Sequence, residues 1–91
     1  MSMTFKRPVP PGRLLVSEFL GPRGLSIQTL AAQIGLTRKH LSNIVNGHAR
    51  ITPSTATLLA RALGTSPALW INQQAAMDIF DAEREMGGLT A

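Results

Sequence analysis

The nine residues from Arg38 to Asn46 hold the most concentrated chemistry in this chain. Arg38, Lys39, His40, Ser42, Asn43 and Asn46 all have hydrogen-bonding side chains, and none is acidic. Leu41, Ile44 and Val45 interrupt them at a spacing that gathers on one side of a helix, so the polar six are expected on the other. Such a face suits a polyanion. Arg and Lys bind phosphates and guanine edges, and an Asn amide pairs with adenine. An ordinary solvated helix surface mixes acids with bases, yet no Asp or Glu occurs between Glu18 and Asp78.

Other chemistries find no support. There is no Cys, which excludes disulfides, thiolate metal sites and cysteine nucleophiles. His40 and His48 lack a third ligand nearby, so no metal is expected. Nothing resembles a nucleophile elbow or an activated nucleophile–base pair, so no enzyme and no cofactor are expected. No apolar run approaches the roughly 18 residues of a membrane span, and the N-terminus lacks a signal-peptide core, which points to the cytoplasm.

Positioning these residues requires a small helical domain. The 91 residues allow one domain, and 24 Leu, Ile, Val and Phe residues suffice for its core. Residues 1–11 read as an arm, because Pro8, Pro10 and Pro11 oppose helix. A first helix is expected from Gly12 to about Leu20, ended by Gly21-Pro22. Ser26 caps a second over Ile27–Ile34, with Gly35 in the turn that follows. Thr37 caps a third from Arg38 to about Asn46, closed by Gly47. Thr52-Pro53 opens a fourth that runs to Leu63, and Ser66-Pro67 opens a long fifth that runs to about Met86. The expected fold is all-α, with five helices over residues 12–86 and a tail at 87–91. Two short helices joined by a Gly-containing turn over Leu25–Gly47 form a helix-turn-helix.

Charge is divided along the chain. Residues 1–64 sum to +7 and residues 65–91 to −3, a basic body with an acidic end. Two surfaces with two kinds of partner are implied.

The run Gly35-Leu36-Thr37-Arg38, Leu41-Ser42 and Asn46-Gly47 resembles the lambda-repressor-like, or XRE-type, helix-turn-helix family. The segment Gly64-Thr65-Ser66-Pro67, with Trp70-Ile71-Asn72-Gln73-Gln74, is similar to the more specific signature of HigA antitoxins from toxin–antitoxin modules. The match covers roughly residues 8–82. One departure stands out: many members carry Gln where this chain has Ile27, and Gln28 beside it is a substitute for part of that role.

The resemblance, with the helical-wheel argument, assigns base readout to Arg38, Lys39, His40 and Asn43, and phosphate contacts to Ser26, Gln28, Thr37, Asn46, His48 and Arg50. Ser26 and Thr37 serve equally well as caps alone. Asn72, Gln73 and Gln74 hold either helix ends or a dimer contact. One recognition helix covers only a few base pairs, so a homodimer on a palindromic operator is expected, joined through Leu69, Trp70, Met77 and Phe80 of the last helix. The resemblance further implies repression of the protein's own promoter and neutralisation of a RelE-like mRNA-interferase toxin. Two alternatives are a stand-alone XRE-type regulator with no toxin, and a protein-interaction adaptor that no longer binds DNA.

Overall fold

The computed structural model describes residues 7–90, with side chains as far as Gly87. The expected arm before Arg7 and the tail residue Ala91 lie outside the described residues. Five helices and no strand occur among those described. Helix α1 is continuous, built from α-helical turns at Pro11–Leu15 and Gly21–Arg23 with a wider π-helical turn at Val16–Leu20 between them. Helices α2 (Ile27–Ile34), α3 (Arg38–Val45), α4 (Pro53–Leu63) and α5 (Pro67–Thr90) follow.

The N-termini form where the sequence places caps. Ser26 Oγ accepts the Thr29 N–H at 3.0 Å, and Thr37 Oγ1 accepts that of His40 at 3.0 Å. Thr52 and Ser66 do the same for Thr55 and Leu69, at 3.3 and 3.2 Å. Each such cap contributes about 1 kcal/mol by satisfying a donor that the helix leaves unpaired.

Two helix ends depart from expectation. Gly21-Pro22 does not stop α1, which continues to Arg23 and closes at Gly24 with φ 59°. The cause is the π-helical turn, in which the Gly21 N–H reaches back to the Val16 carbonyl. The extra residue in that turn spreads the carbonyls ahead of Pro22, relieving the clash by which a proline ring breaks an ordinary helix. Helix α5 likewise passes Gly87-Gly88 and runs to Thr90. A glycine inside a helix costs only about 0.5–1 kcal/mol, and nothing there requires the chain to turn.

The core joins all five helices. Leu15, Leu30, Leu41, Leu59 and Trp70 are its largest fully buried side chains. Trp70 anchors α5: its indole Nε1 donates to Thr65 Oγ1 at 2.8 Å, and its ring lies 5.5 Å from that of Phe19 at a 52° tilt. Arg23 also stacks over Phe19, 5.4 Å from the ring centroid. It also donates to the Leu63 carbonyl at 3.0 Å, a partner for the C-terminal end of α4.

Candidate nucleic-acid interface

Helices α2 and α3 meet through a three-residue turn, Gly35-Leu36-Thr37. Gly35 takes φ 77°, a left-handed conformation open to glycine at little cost, and the Leu36 N–H bonds the Ala31 carbonyl at 3.0 Å. Ala31 is buried where the helices approach. Leu41 and Ile44 of α3 are buried beneath it and fix the rotation of the helix about its own axis. That rotation leaves Arg38, Lys39 and His40 exposed together on the first turn of α3. Asn43 and Ser42 are half-buried, and Asn46 is exposed just past the helix end, its Nδ2 donating to Ser42 Oγ at 3.4 Å.

The N-terminus of α1 presses closely on this helix. A Cβ built on Gly12 would stand 2.6 Å from the Val45 carbonyl oxygen and 2.7 Å from the Val45 Cα. Only a residue without a side chain permits that approach. After Val45 the chain turns through Asn46–Thr52, where the Asn43 carbonyl accepts the N–H groups of His48 at 2.7 Å and Ala49 at 3.1 Å.

The flanking residues expected at phosphates have mixed placements. Gln28 and His48 are exposed, whereas Ile27 packs partly into the core. Ser26 and Thr37 are caps, and Ser26 also shares a hydrogen bond with the Thr29 hydroxyl at 2.8 Å. Arg50 does not stand alone. Its Nη1 and Nη2 donate to the two carboxylate oxygens of Asp78 at 2.7 and 2.6 Å. The Arg50 hydrogen bonds hold the Asp78 carboxyl below its ordinary range against the opposing effect of burial, with lesser help from Gln74.

The expectations for α5 need correction. Trp70 is completely buried within its own chain and Met77 nearly so, so neither has surface to give a second copy. Trp70 is spent holding α5 to the core, and Met77 lines the cleft beside the Asn46–Ile51 turn. Leu69 is half-buried against that core, and Phe80 is half-buried further along. The large apolar side chains that α5 exposes are Ile79 and Met86, which periodicity did not single out. Gln73 and Gln74 each bond a segment outside α5. Gln73 Nε2 donates to the Val9 carbonyl at 2.9 Å, tying down the end of the arm. Gln74 Oε1 accepts the Ile51 N–H at 2.9 Å, tying down the turn after α3.

A further feature was not visible in the sequence. An open cleft between the start of α1, the Asn46–Ile51 turn and α5 gathers Arg7, Arg13, His48 and Arg50. Arg7 and Arg13 lie far from α3 in sequence and come beside its end only in the fold. Among the described residues no group of three or more His, Cys, Asp or Glu is arranged to hold a metal, and no helix is long and apolar enough to cross a membrane.

Known proteins share this arrangement. A helix-turn-helix family model matches residues 16–70. Antitoxin HigA-1 of Vibrio cholerae is 42% identical over 81 residues, which is 89% of this chain and 76% of that protein. The solved structure of antitoxin GraA superposes with a TM-score of 0.87 at 32% identity, covering 91% of this chain and 89% of that one. A Pseudomonas aeruginosa antitoxin HigA solved with the higBA promoter gives a TM-score of 0.86 at 28% identity, covering 92% and 91%. A capped helix pair, a buried tryptophan holding a long last helix, and these likenesses lead to one assignment: the chain belongs to the helix-turn-helix family, in the group of the HigA antitoxins.

Proposed function

We propose that this protein is a DNA-binding antitoxin that represses its own operon as a homodimer and neutralises a RelE-like mRNA-interferase toxin. It acts by binding and not as an enzyme, in keeping with its family. The observation that carries the reading is the first turn of α3, where three exposed basic or imidazole side chains stand together on a capped helix with no acid beside them. The similar antitoxin solved with its promoter supports the same use of the fold.

In this reading Arg38, Lys39, His40 and Asn43 meet base edges in the major groove. Gln28, Asn46 and His48 flank them at phosphates, and Ser26 and Thr37 add helix N-termini that attract phosphate whether or not their hydroxyls touch it. Arg50, engaged by Asp78, stays out of the phosphate set. Ile79, Phe80 and Met86 of α5 offer the apolar surface for the second copy, which brings a second recognition helix to the next half-site about one helical turn away. Operator DNA and ribosome-bound message both place this role in the cytoplasm.

Two measurements test the proposal. Gel retardation with the protein's own promoter should show tight, competitor-resistant binding, and failure to retard it would remove the repressor role. Co-purification with the product of the adjacent gene, followed by rescue of that product's toxicity, tests the antitoxin role. Promoter binding with no toxic neighbour would leave a stand-alone regulator.

A further inference from the structure

The turn after the recognition helix is attached to α5 at two consecutive residues. Ile51 donates its backbone N–H to Gln74 Oε1 at 2.9 Å, and its own side chain is buried. Arg50, the residue before, forms a two-pronged ion pair with Asp78 at 2.7 and 2.6 Å. Gln74 and Asp78 are themselves joined, Nε2 to Oδ1 at 3.1 Å. They lie four residues apart, one above the other on a single face of α5. Backbone and side chain of the turn are thus both held by one stretch of the helix that carries the apolar surface for a second copy.

We propose that Gln74 and Asp78 are positioning residues for operator recognition: by clamping Ile51 and Arg50 they fix the angle between α3 and α5, and so set the half-site spacing the dimer accepts. The inference rests on the homodimeric reading above and deepens it. Adjacent base pairs lie about 3.4 Å apart along the duplex, so two recognition helices that each shift by about 1.7 Å in opposite directions change register by one base pair. A turn free of its clamp has that freedom; a turn held at two consecutive residues does not.

The placement of the pair separates this role from a purely stabilising one. The Arg50 and Asp78 side chains are 65% and 39% exposed, and exposed ion pairs add little to folding. Stability resides in the buried side chains of the core. Loss of the clamp therefore changes orientation more than it changes folding. A different role for Arg50, direct phosphate contact, predicts a different outcome for charge exchange, because a phosphate has no use for an aspartate at position 50.

The test uses the full chain and a set of duplexes built from its own promoter operator, with half-sites at the native spacing and at one and two base pairs more or less. The unmodified protein should lose at least about tenfold in affinity per base pair of altered spacing, the scale of one lost base contact. In Gln74→Ala, Asp78→Asn and Arg50→Asp that discrimination should shrink to within about threefold, and in the charge-neutral Gln74→Ala affinity for random DNA should stay within about twofold of the unmodified protein. The exchange variant Arg50→Asp with Asp78→Arg should restore the spacing preference. Circular-dichroism melting confirms that each variant is folded. Single variants that keep the full preference overturn the proposal alone. An exchange variant that stays defective and also shows a shallower salt dependence overturns it in favour of Arg50 as a phosphate contact. An unmodified dimer without spacing preference overturns the clamp and the homodimeric reading together.

Discussion

Replacing Gly12 by Ala measures how tightly α1 is set against the recognition helix. The new Cβ would meet the Ile44 carbonyl oxygen and stand 2.6 Å from that of Val45, whereas ordinary contact begins near 3.4 Å, so the helices must part by at least about 0.8 Å. All three nearest atoms, the Ile44 and Val45 carbonyl oxygens and the Val45 Cα, are backbone of α3, which cannot swing aside as a flexible side chain would. Forcing an extra carbon into such a contact costs about 1–3 kcal/mol. Alanine's better fit to a helix offsets about 0.5–1 kcal/mol of that, so overpacking wins by about 1.25 kcal/mol at the middle of these ranges and by about 2.5 kcal/mol at most. At about 4–8 °C per kcal/mol for a domain of this size, the melting temperature should fall by about 5–10 °C at that middle value. Thermal melting followed by circular dichroism reads it directly. Gly87→Ala is the control: it is also helical but has open space around it, and its melting temperature should not fall. Operator affinity of Gly12→Ala, measured well below its melting point, should fall as well, since the displaced partner is the reading helix itself. A Gly12→Ala protein that melts at or above the unmodified temperature would refute the reasoning.

Other expectations follow from the interface. Arg38→Ala or Lys39→Ala, whichever reads a guanine, should cost about 1–3 kcal/mol on the operator and less on random DNA, as measured by competition binding; unchanged operator preference in both would take α3 out of the reading role. With Arg50 held by Asp78, Arg38 and Lys39 leave about four cations per dimer to release counterions, so log affinity against log salt should have a slope of about −3.6. A slope of about −5.4 would mean that Arg50 leaves Asp78 for the backbone. Asp78 has a folded-state pKa lowered by Arg50, so the small contribution of this exposed pair is present above the ordinary carboxylate pKa of 3.8 and is lost as pH falls through the lowered value. Acid unfolding of Asp78→Asn should lack that portion of the pH dependence. Because Asp78 is engaged, toxin attraction by the acidic end falls to Asp81, Glu83 and Glu85, all exposed. Neutral replacements of these three should slow association with a basic toxin at low salt, and an unchanged rate would remove them from the interface.

Much of this protein is legible in its sequence because the governing interactions are short-range. A cap reaches three residues ahead, as Ser26, Thr37, Thr52 and Ser66 do, and a left-handed glycine such as Gly35 acts on its own turn. The alternation of Leu41, Ile44 and Val45 with basic and amide residues already determines which side of α3 is buried. So helix starts, the helix-turn-helix and the acid-free face all follow from windows of a few residues. Tertiary structure decided the rest. Whether Trp70 serves the core or a partner depends on Thr65 and on Phe19, 51 positions away in sequence, and the buried site took it. Arg50 met Asp78 across 28 residues, in a region that composition alone marked as free of acids. Gly12 matters because of Val45, and Gly21-Pro22 failed to end a helix because a wider turn made room for the ring. Each of these outcomes turns on distances of a few ångströms between segments far apart in the chain, and such distances exist only once the helices have packed.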